Sequence, residues 1–350
     1  MGLKEELLKN TTIKETALLE DSEAFKDNDR IPTPVPMINV GLSADLDGGL
    51  GSGHTMIAGP SKHFKTNFML LIAASFIKKH PDGVILFYDN EFGSPASYVE
   101  SFGIPPESIV HTPILSIEEL KHDIMTQLAG IEKGDKLLIM IDSIGNAASE
   151  KEIVDTIKGE SKADFTRAKQ LKSLFRQVTP VLRLKRIPLI TINHTYMTME
   201  TYSKPVVSGG TGAVYSADTI WVVGRQQEKD DDGLAGFNFV INIEKSRFVR
   251  EKTKFHIRVT FENGVDKWSG IFDAAMEAGI ITKPKVGWYA LQRELCDGDS
   301  TKLWRRADLE TPENMKKIVE YKPFKDWIKA NYTIVASKKL QEDDFDEQQE

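Results

Sequence analysis

The chain has 350 residues, 40% apolar and 28% charged, with 45 Lys and Arg against 52 Asp and Glu. Such values fit a soluble globular protein of one large domain or two, and exclude collagen-like, low-complexity and wholly disordered chains. The single cysteine, Cys296, excludes an internal disulfide and argues against a cysteine-based zinc cluster. The longest uncharged apolar run, 68–77, is too short to span a bilayer, and no basic-then-apolar segment opens the chain, so a cytosolic protein with no membrane partner is expected. Taken alone, the net charge of −7 argues against a nucleic-acid partner.

In chain order, residues 1–30 read as a polar arm in which Leu3, Leu7 and Leu8 share one face of a short helix. An assembly arm and a frayed terminus fit these residues equally. The run Ile-Pro-Thr-Pro-Val-Pro at 31–36 blocks helix, forces extended chain and reads as a linker. From 37 to 269 the chain is dense in apolar segments. Runs rich in β-formers at 54–59, 84–89, 137–142, 188–193 and 219–224 alternate at first with helix-like segments at 67–79, 117–131 and 165–184. This pattern predicts an α/β core, a mainly parallel sheet with helices on both faces. Beyond 224, Phe237, Phe239, Ile241 and Ile243 alternate with more polar neighbours, as do Phe255, Ile257, Val259 and Phe261, predicting antiparallel edge strands. Residues 270–335 read as a small α+β C-terminal unit with helices near 271–279 and 323–332. Residues 336–350 read as an acidic tail, the last ten holding six acids and no base.

The segment Gly59, Pro60, Ser61, Lys62, His63, Phe64, Lys65 and Thr66 links the first strand to an apolar helix. It fits the phosphate-loop pattern G-x-x-x-x-G-K-[ST] except that Phe64 stands at the second glycine. A strand-to-helix turn presents backbone N–H groups and a helix dipole to an anion. Lys65 would reach the β- and γ-phosphates of ATP, and the Thr66 hydroxyl would bind Mg²⁺. An ordinary βα turn is the alternative. Asp142 ends the third strand, at the sheet edge where α/β folds bind ligands, and would hold Mg²⁺ through water; a helix N-cap is the alternative. Glu91, after the second strand, would polarise an attacking water, or is a surface carboxylate. His194, ending the fourth, would sense a γ-phosphate, or is structural.

Together these motifs resemble the RecA-type recombinases, and within them the UvsX recombinases of T-even-like phages. The resemblance runs from about residue 36 to 332. It rests on the Gly-rich entry 46–53, the loop 59–66, Asp89 to Gly93, 137–143, 190–195, Gly209-Gly210-Thr211-Gly212 and Glu244-Lys245-Ser246-Arg247. Phe in place of the second glycine is a habit of the phage group. The resemblance implies a DNA-stimulated ATPase with ATP and Mg²⁺ as cofactors. It implies a helical filament of the chain on single-stranded DNA, pairing with homologous duplex, and a recombination mediator and single-strand-binding protein as partners. It places the protein in the cytoplasm, the host's if phage-encoded. By position, Tyr98 would stack on adenine. Lys245 and Arg247, two apart on a strand and so on one face, would reach the γ-phosphate of the neighbouring subunit. His194 stands where bacterial relatives have glutamine. The loops facing DNA would be 149–164 and 195–213.

Charge is distributed in a way that the total hides. Residues 167–186 hold seven basic residues and no acid, and Lys245 to Arg258 hold six basic residues interrupted only by Glu251. These are local phosphate-binding footprints, or solvated faces. Arg167, Arg176 and the turn Gly209, Gly210, Thr211, Gly212 and Ala213 carry the expected DNA contacts. The 149–164 loop, with five acids and three lysines, carries less weight. Two rivals share these features: a ring helicase on the same core, and a non-hydrolysing DNA-coating or mediator protein in which Phe64 disables the site.

Overall fold

Six segments lie side by side as parallel strands. They are β1 (Gly53–Ala58), β2 (Val84–Asp89), β3 (Ile109–Pro113), β4 (Leu137–Asp142), β5 (Pro188–Asn193) and, after a short antiparallel ribbon of β6 (Thr195–Met197) and β7 (Pro205–Val207), β8 (Thr219–Asp230). The chain returns antiparallel through β9 (Gly233–Ser246), β10 (Lys254–Thr260) and β11 (Gly264–Val265). The nine-stranded order is β11-β10-β9-β8-β1-β5-β4-β2-β3, and β12 (Ile281–Lys285) pairs separately with β13 (Trp288–Leu291). This computed structural model describes residues 2–22, 29–160, 166–198, 205–230, 233–296 and 302–334. The acidic tail at 336–350, residues 161–164 of the first expected DNA loop, and Met199 and Tyr202 of the second lie outside them.

The helices are α1 (Leu3–Asn10), α2 (Pro36–Ser43), α3 (Lys65–Lys79), α4 (Ala96–Glu100), α5 (Ile117–Gly130), α6 (Glu150–Ile157), α7 (Thr166–Lys185) and α8 (Thr211–Ser216), then α9 (Ile271–Glu277), α10 (Arg306–Leu309), α11 (Pro312–Glu320) and α12 (Lys322–Tyr332). Two apolar cores result, as a sheet buried on both faces requires. One joins α2 and α3 to residues such as Phe239 and Phe255, and continues into Phe272, Met315 and Phe324 of the C-terminal unit. The other is built on α5 and α7. Ion pairs from Lys325 to Asp47 (2.6 Å) and Lys329 to Asp45 (2.9 Å) fasten α12 to the residues leading into β1.

The five expected parallel strands and the antiparallel extension are present. Alternation gives the register directly, with Phe255 opposite Ile241, Ile257 opposite Phe239 and Val259 opposite Phe237. The sixth parallel strand, β3, was not expected. It lies at the sheet edge with Val110 and His111 exposed, and so lacks the continuous apolar run of a central strand. Helix α2 was also not expected. Pro36 sits at its first position, where a missing N–H costs nothing, so the proline run ends in a helix start. The run itself is extended but pinned. Ile31 pairs with Leu50, and the buried Asn39 side chain bonds Thr33 and the Leu46 carbonyl.

Candidate nucleotide site and nucleic-acid interface

The C-terminal ends of β1, β2, β4 and β5 come to one edge of the sheet. Asp89 and Asp142 are opposite one another in register, and Gly59 N–H bonds Asn193 O across the top of β1. Helix α3 starts at Lys65 with Phe64 at its N-cap. No side-chain cap occupies the first N–H groups, which leaves them to an anion. Phe64 is left-handed (φ 61°, ψ 18°). Left-handed backbone is the second reason for a glycine here, beside close phosphate approach, and a side chain in it costs roughly 1–2 kcal/mol. The Phe64 ring stacks on Phe239 (centroids 4.9 Å) and meets Phe68 edge-on (5.2 Å), contacts worth about 0.5–1.5 kcal/mol each. The aromatic support therefore offsets the strain.

Lys65 is buried and its ammonium donates to Pro60 O (2.8 Å). Burial pushes its pKa down. Pro60, Ser61 and Lys62 form the exposed rim, and His63 Nδ1 lies 2.9 Å from Ser61 O. Thr66 Oγ1 donates to Asp142 Oδ2 (2.6 Å). Burial raises the Asp142 pKa to about 6, and its other oxygen, Oδ1, is buried with no hydrogen-bond partner among the described residues. A buried carboxylate oxygen without a donor, next to a threonine hydroxyl, is the donor set that a hard divalent cation takes. The residues therefore fit Mg²⁺.

Glu91 faces the same space. Its Oε1 accepts from Asn146 Nδ2 (2.9 Å) and lies 3.1 Å from His194 Nε2; the His194 contact is the leading cause that lowers its pKa. Asp89 fixes the turn below by accepting from the N–H groups of Glu91 and Phe92. Beyond His194, Ser208 N–H bonds His194 O (2.9 Å), and Asn193 exchanges two bonds with Ser208, closing the base of the β6–β7 ribbon. Tyr98, on α4, accepts from Asn67 in the first turn of α3 (2.7 Å).

Lys245 lies on β9, but the strand ends at Ser246, so Arg247 sits in the bend beyond it and the two do not share a strand face. Lys245 Nζ donates to the carbonyls of Val214 and Tyr215 at the end of α8, and Arg247 Nε pairs with buried Asp218 (2.8 Å). The turn before α8 takes positive φ at Gly209 and Gly210 (88° and 78°), and lies against Leu171 and Ala168 of α7. A Cβ on Gly212 would fall 2.8 Å from Lys172 Cα, so Gly212 is fixed by helix packing. Two residues expected to contact DNA are instead engaged within the fold. Ala213 is fully buried, where no DNA can touch it. The Arg167 guanidinium donates to Ile144, Gly145 and Ala147 carbonyls and holds the segment after β4. Arg176 is exposed and shares a face of α7 with exposed Lys169 and Lys172, beside the glycine turn.

Asn146, Asn90, Asp218 and Phe239 also serve the site without being marked as site residues by the sequence. Asn90 brackets Ser143 with two bonds. Its place just after a strand aimed at the site was the available signal. Asp218 and Phe239 act through partners distant in sequence and gave none.

Residues 268–328 match the family model described as bacteriophage T4 recombination and repair protein, C-terminal domain. The chain is 46% identical to the recombination and repair protein of enterobacteria phage T4, over 99% of this chain and 90% of that one. It belongs to the UvsX family of RecA-type recombinases. More distantly, it is 26% identical to the RecA protein of Solidesulfovibrio magneticus, over 79% of this chain and 76% of that one. The crystal structure of the RadB recombinase matches with a TM-score of 0.47 at 20% identity, covering 64% of this chain and 95% of that one.

Proposed function

We propose that this UvsX-family recombinase is a DNA-stimulated, Mg²⁺-dependent ATPase. It assembles as a filament on single-stranded DNA and exchanges strands with homologous duplex. The arm, whose Leu3 and Leu7 are exposed, would dock on the next subunit. The observation that carries the reading is the Glu91–His194 contact. It joins a carboxylate at the nucleotide edge to the base of the ribbon that leads to Gly209 and Gly210.

Lys65 and the open N–H groups of α3 would bind the β- and γ-phosphates, and Tyr98 would lie against the adenine. Thr66 and Asp142 would hold Mg²⁺, which when bound neutralises charge on the phosphate oxygens. Glu91, kept ionised by His194, would orient a water for in-line attack on the γ-phosphate. His194 would report the state of that site to the ribbon. Lys245 and Arg247 would complete the neighbouring subunit's site, as cations supplied in trans. Lys169, Lys172 and Arg176 would track the DNA backbone without reading bases, since homology is read by base pairing.

Phe64 does not favour the non-hydrolysing alternative, because the residue adopts the left-handed conformation that a glycine would supply. The test is ATP turnover with and without single-stranded DNA. Stimulation by DNA, abolished in Lys65→Ala, is expected. Turnover indifferent to DNA would move the assignment to a coating or mediator protein.

A further inference from the structure

The phosphate loop leans on β8 and β9 at three points. At its entry, a Cβ on Gly59 would come within 2.8 Å of Val223 O on β8, so the loop abuts that strand. At its middle, Arg225 Nη1 donates to Lys62 O (3.0 Å) while its guanidinium lies over Phe237 (4.5 Å). At its end, the Phe64 ring lies on Phe239 with 26° between planes, and Phe68 meets both rings edge-on. Phe239 is 2% exposed on β9 and is further flanked by Phe237 (6.0 Å).

The third contact falls on the strained residue. A glycine-bearing loop adopts left-handed backbone because glycine permits it. A phenylalanine prefers right-handed or extended backbone, so something outside the loop must select the conformation seen. Among the groups touching Phe64, Phe68 belongs to α3 itself, one turn further on, and moves with the helix. Phe239 belongs to a different strand and supplies a fixed reference.

We infer that Phe239 is a positioning residue for the nucleotide phosphates. By seating the Phe64 ring it fixes the turn that aims Lys65 and the first N–H groups of α3 at one point. The inference rests on the ATP reading above. It implies that the loop depends on β9 only while residue 64 carries a ring. The same strand bears Lys245 further along, so the support of one subunit's phosphate loop and the cation offered to its neighbour are parts of one element.

Four proteins test this: wild type, F64G, F239L and F64G/F239L. Leucine keeps the apolar character and much of the volume but has no ring to stack. Binding of N-methylanthraniloyl-ATP with Mg²⁺ is read by fluorescence. Thermal unfolding is read alongside, and hydrogen exchange of the 59–66 segment is read without nucleotide. F239L is expected to weaken binding about tenfold, matching the strain of one left-handed residue, and to speed exchange at 59–66. In the F64G background, F239L is expected to change either by no more than about twofold. Equal losses in both backgrounds make Phe239 a general packing residue and overturn the inference, as does F239L with unchanged affinity. If F239L does not fold, F239M, unbranched and adaptable, carries the same expectations. A wild type that binds no nucleotide overturns both this inference and the ATP reading, and differs from the other failures because the unmutated protein itself fails.

Discussion

The two regions assigned to nucleotide and to DNA are built in opposite ways. At the nucleotide edge the charged groups are tied down: Lys65 to Pro60, Thr66 to Asp142, Glu91 to Asn146 and His194. On the α7 face, Lys169, Lys172 and Arg176 stand in solvent, and their side chains make no ion pair or hydrogen bond among the described residues. The proposed phosphoryl transfer needs groups fixed to within a fraction of an ångström, which residues held by neighbours would provide. The proposed binding of DNA of any sequence needs only a positive field along a backbone, which exposed, unpaired cations would supply. Arg167 lies at the boundary: part of the basic stretch by sequence, it belongs by structure to the held group.

The sharpest way to break this division is to remove a held group. Lys65→Ala should lower ATP turnover by about 10³-fold or more, with thermal stability near wild type, since among the described residues the lysine's one hydrogen bond is to a loop carbonyl. Glu91→Gln should lower turnover by about 10²–10⁴-fold while keeping nucleotide affinity, measured by equilibrium binding. Loss of affinity instead would make Glu91 a binding residue.

Asp142 sharpens the contrast, because there stability and function oppose each other. Its carboxyl is protonated more readily in the fold (about 6) than unfolded (3.8). Its contribution to stability is therefore fully present below the unfolded value and is lost as pH rises through about 6. Mg²⁺ needs the ionised form, so Mg²⁺-dependent nucleotide affinity should fall as pH drops through about 6. Asp142→Asn should abolish that dependence and raise stability at pH 7 by roughly 1–3 kcal/mol, read by denaturant unfolding.

On the solvent side the effects should be graded. Replacing Lys169, Lys172 and Arg176 with Gln should make the salt dependence of single-stranded DNA binding shallower by about 2, at roughly 0.7 per phosphate contact, and leave nucleotide affinity unchanged. An unchanged slope would remove α7 from the interface. Deleting residues 341–350, with their six acids, should tighten DNA binding by a few-fold at low salt and not at high salt.

What the sequence reveals follows the same division. Central strands such as Leu137–Asp142 are buried on both faces and read as unbroken apolar runs, which places Asp142 and His194 at one edge from the sequence alone. Lys65 and Thr66 are local to their loop and equally legible. Edge strand β3 and the proline-initiated α2 are not, because exposure breaks the one apolar run and the prolines mask the other element. The supports of the site are also hidden. Asn146 reaches Glu91, Phe239 reaches Phe64 and Asp218 reaches Arg247 only once the chain has folded. Composition marked the 167–186 stretch as basic but could not separate Arg167, turned inward, from Arg176, turned outward.

The central claim is that the held nucleotide edge drives DNA pairing on the open face. Joint-molecule formation between single-stranded DNA and duplex, in the preparation used for ATP turnover, tests it most directly. The account predicts joint molecules only when ATP, Mg²⁺ and homologous duplex are all present, and none with Lys65→Ala. Pairing that proceeds equally with Lys65→Ala, or duplex unwinding by rings with no joint molecules, would contradict it.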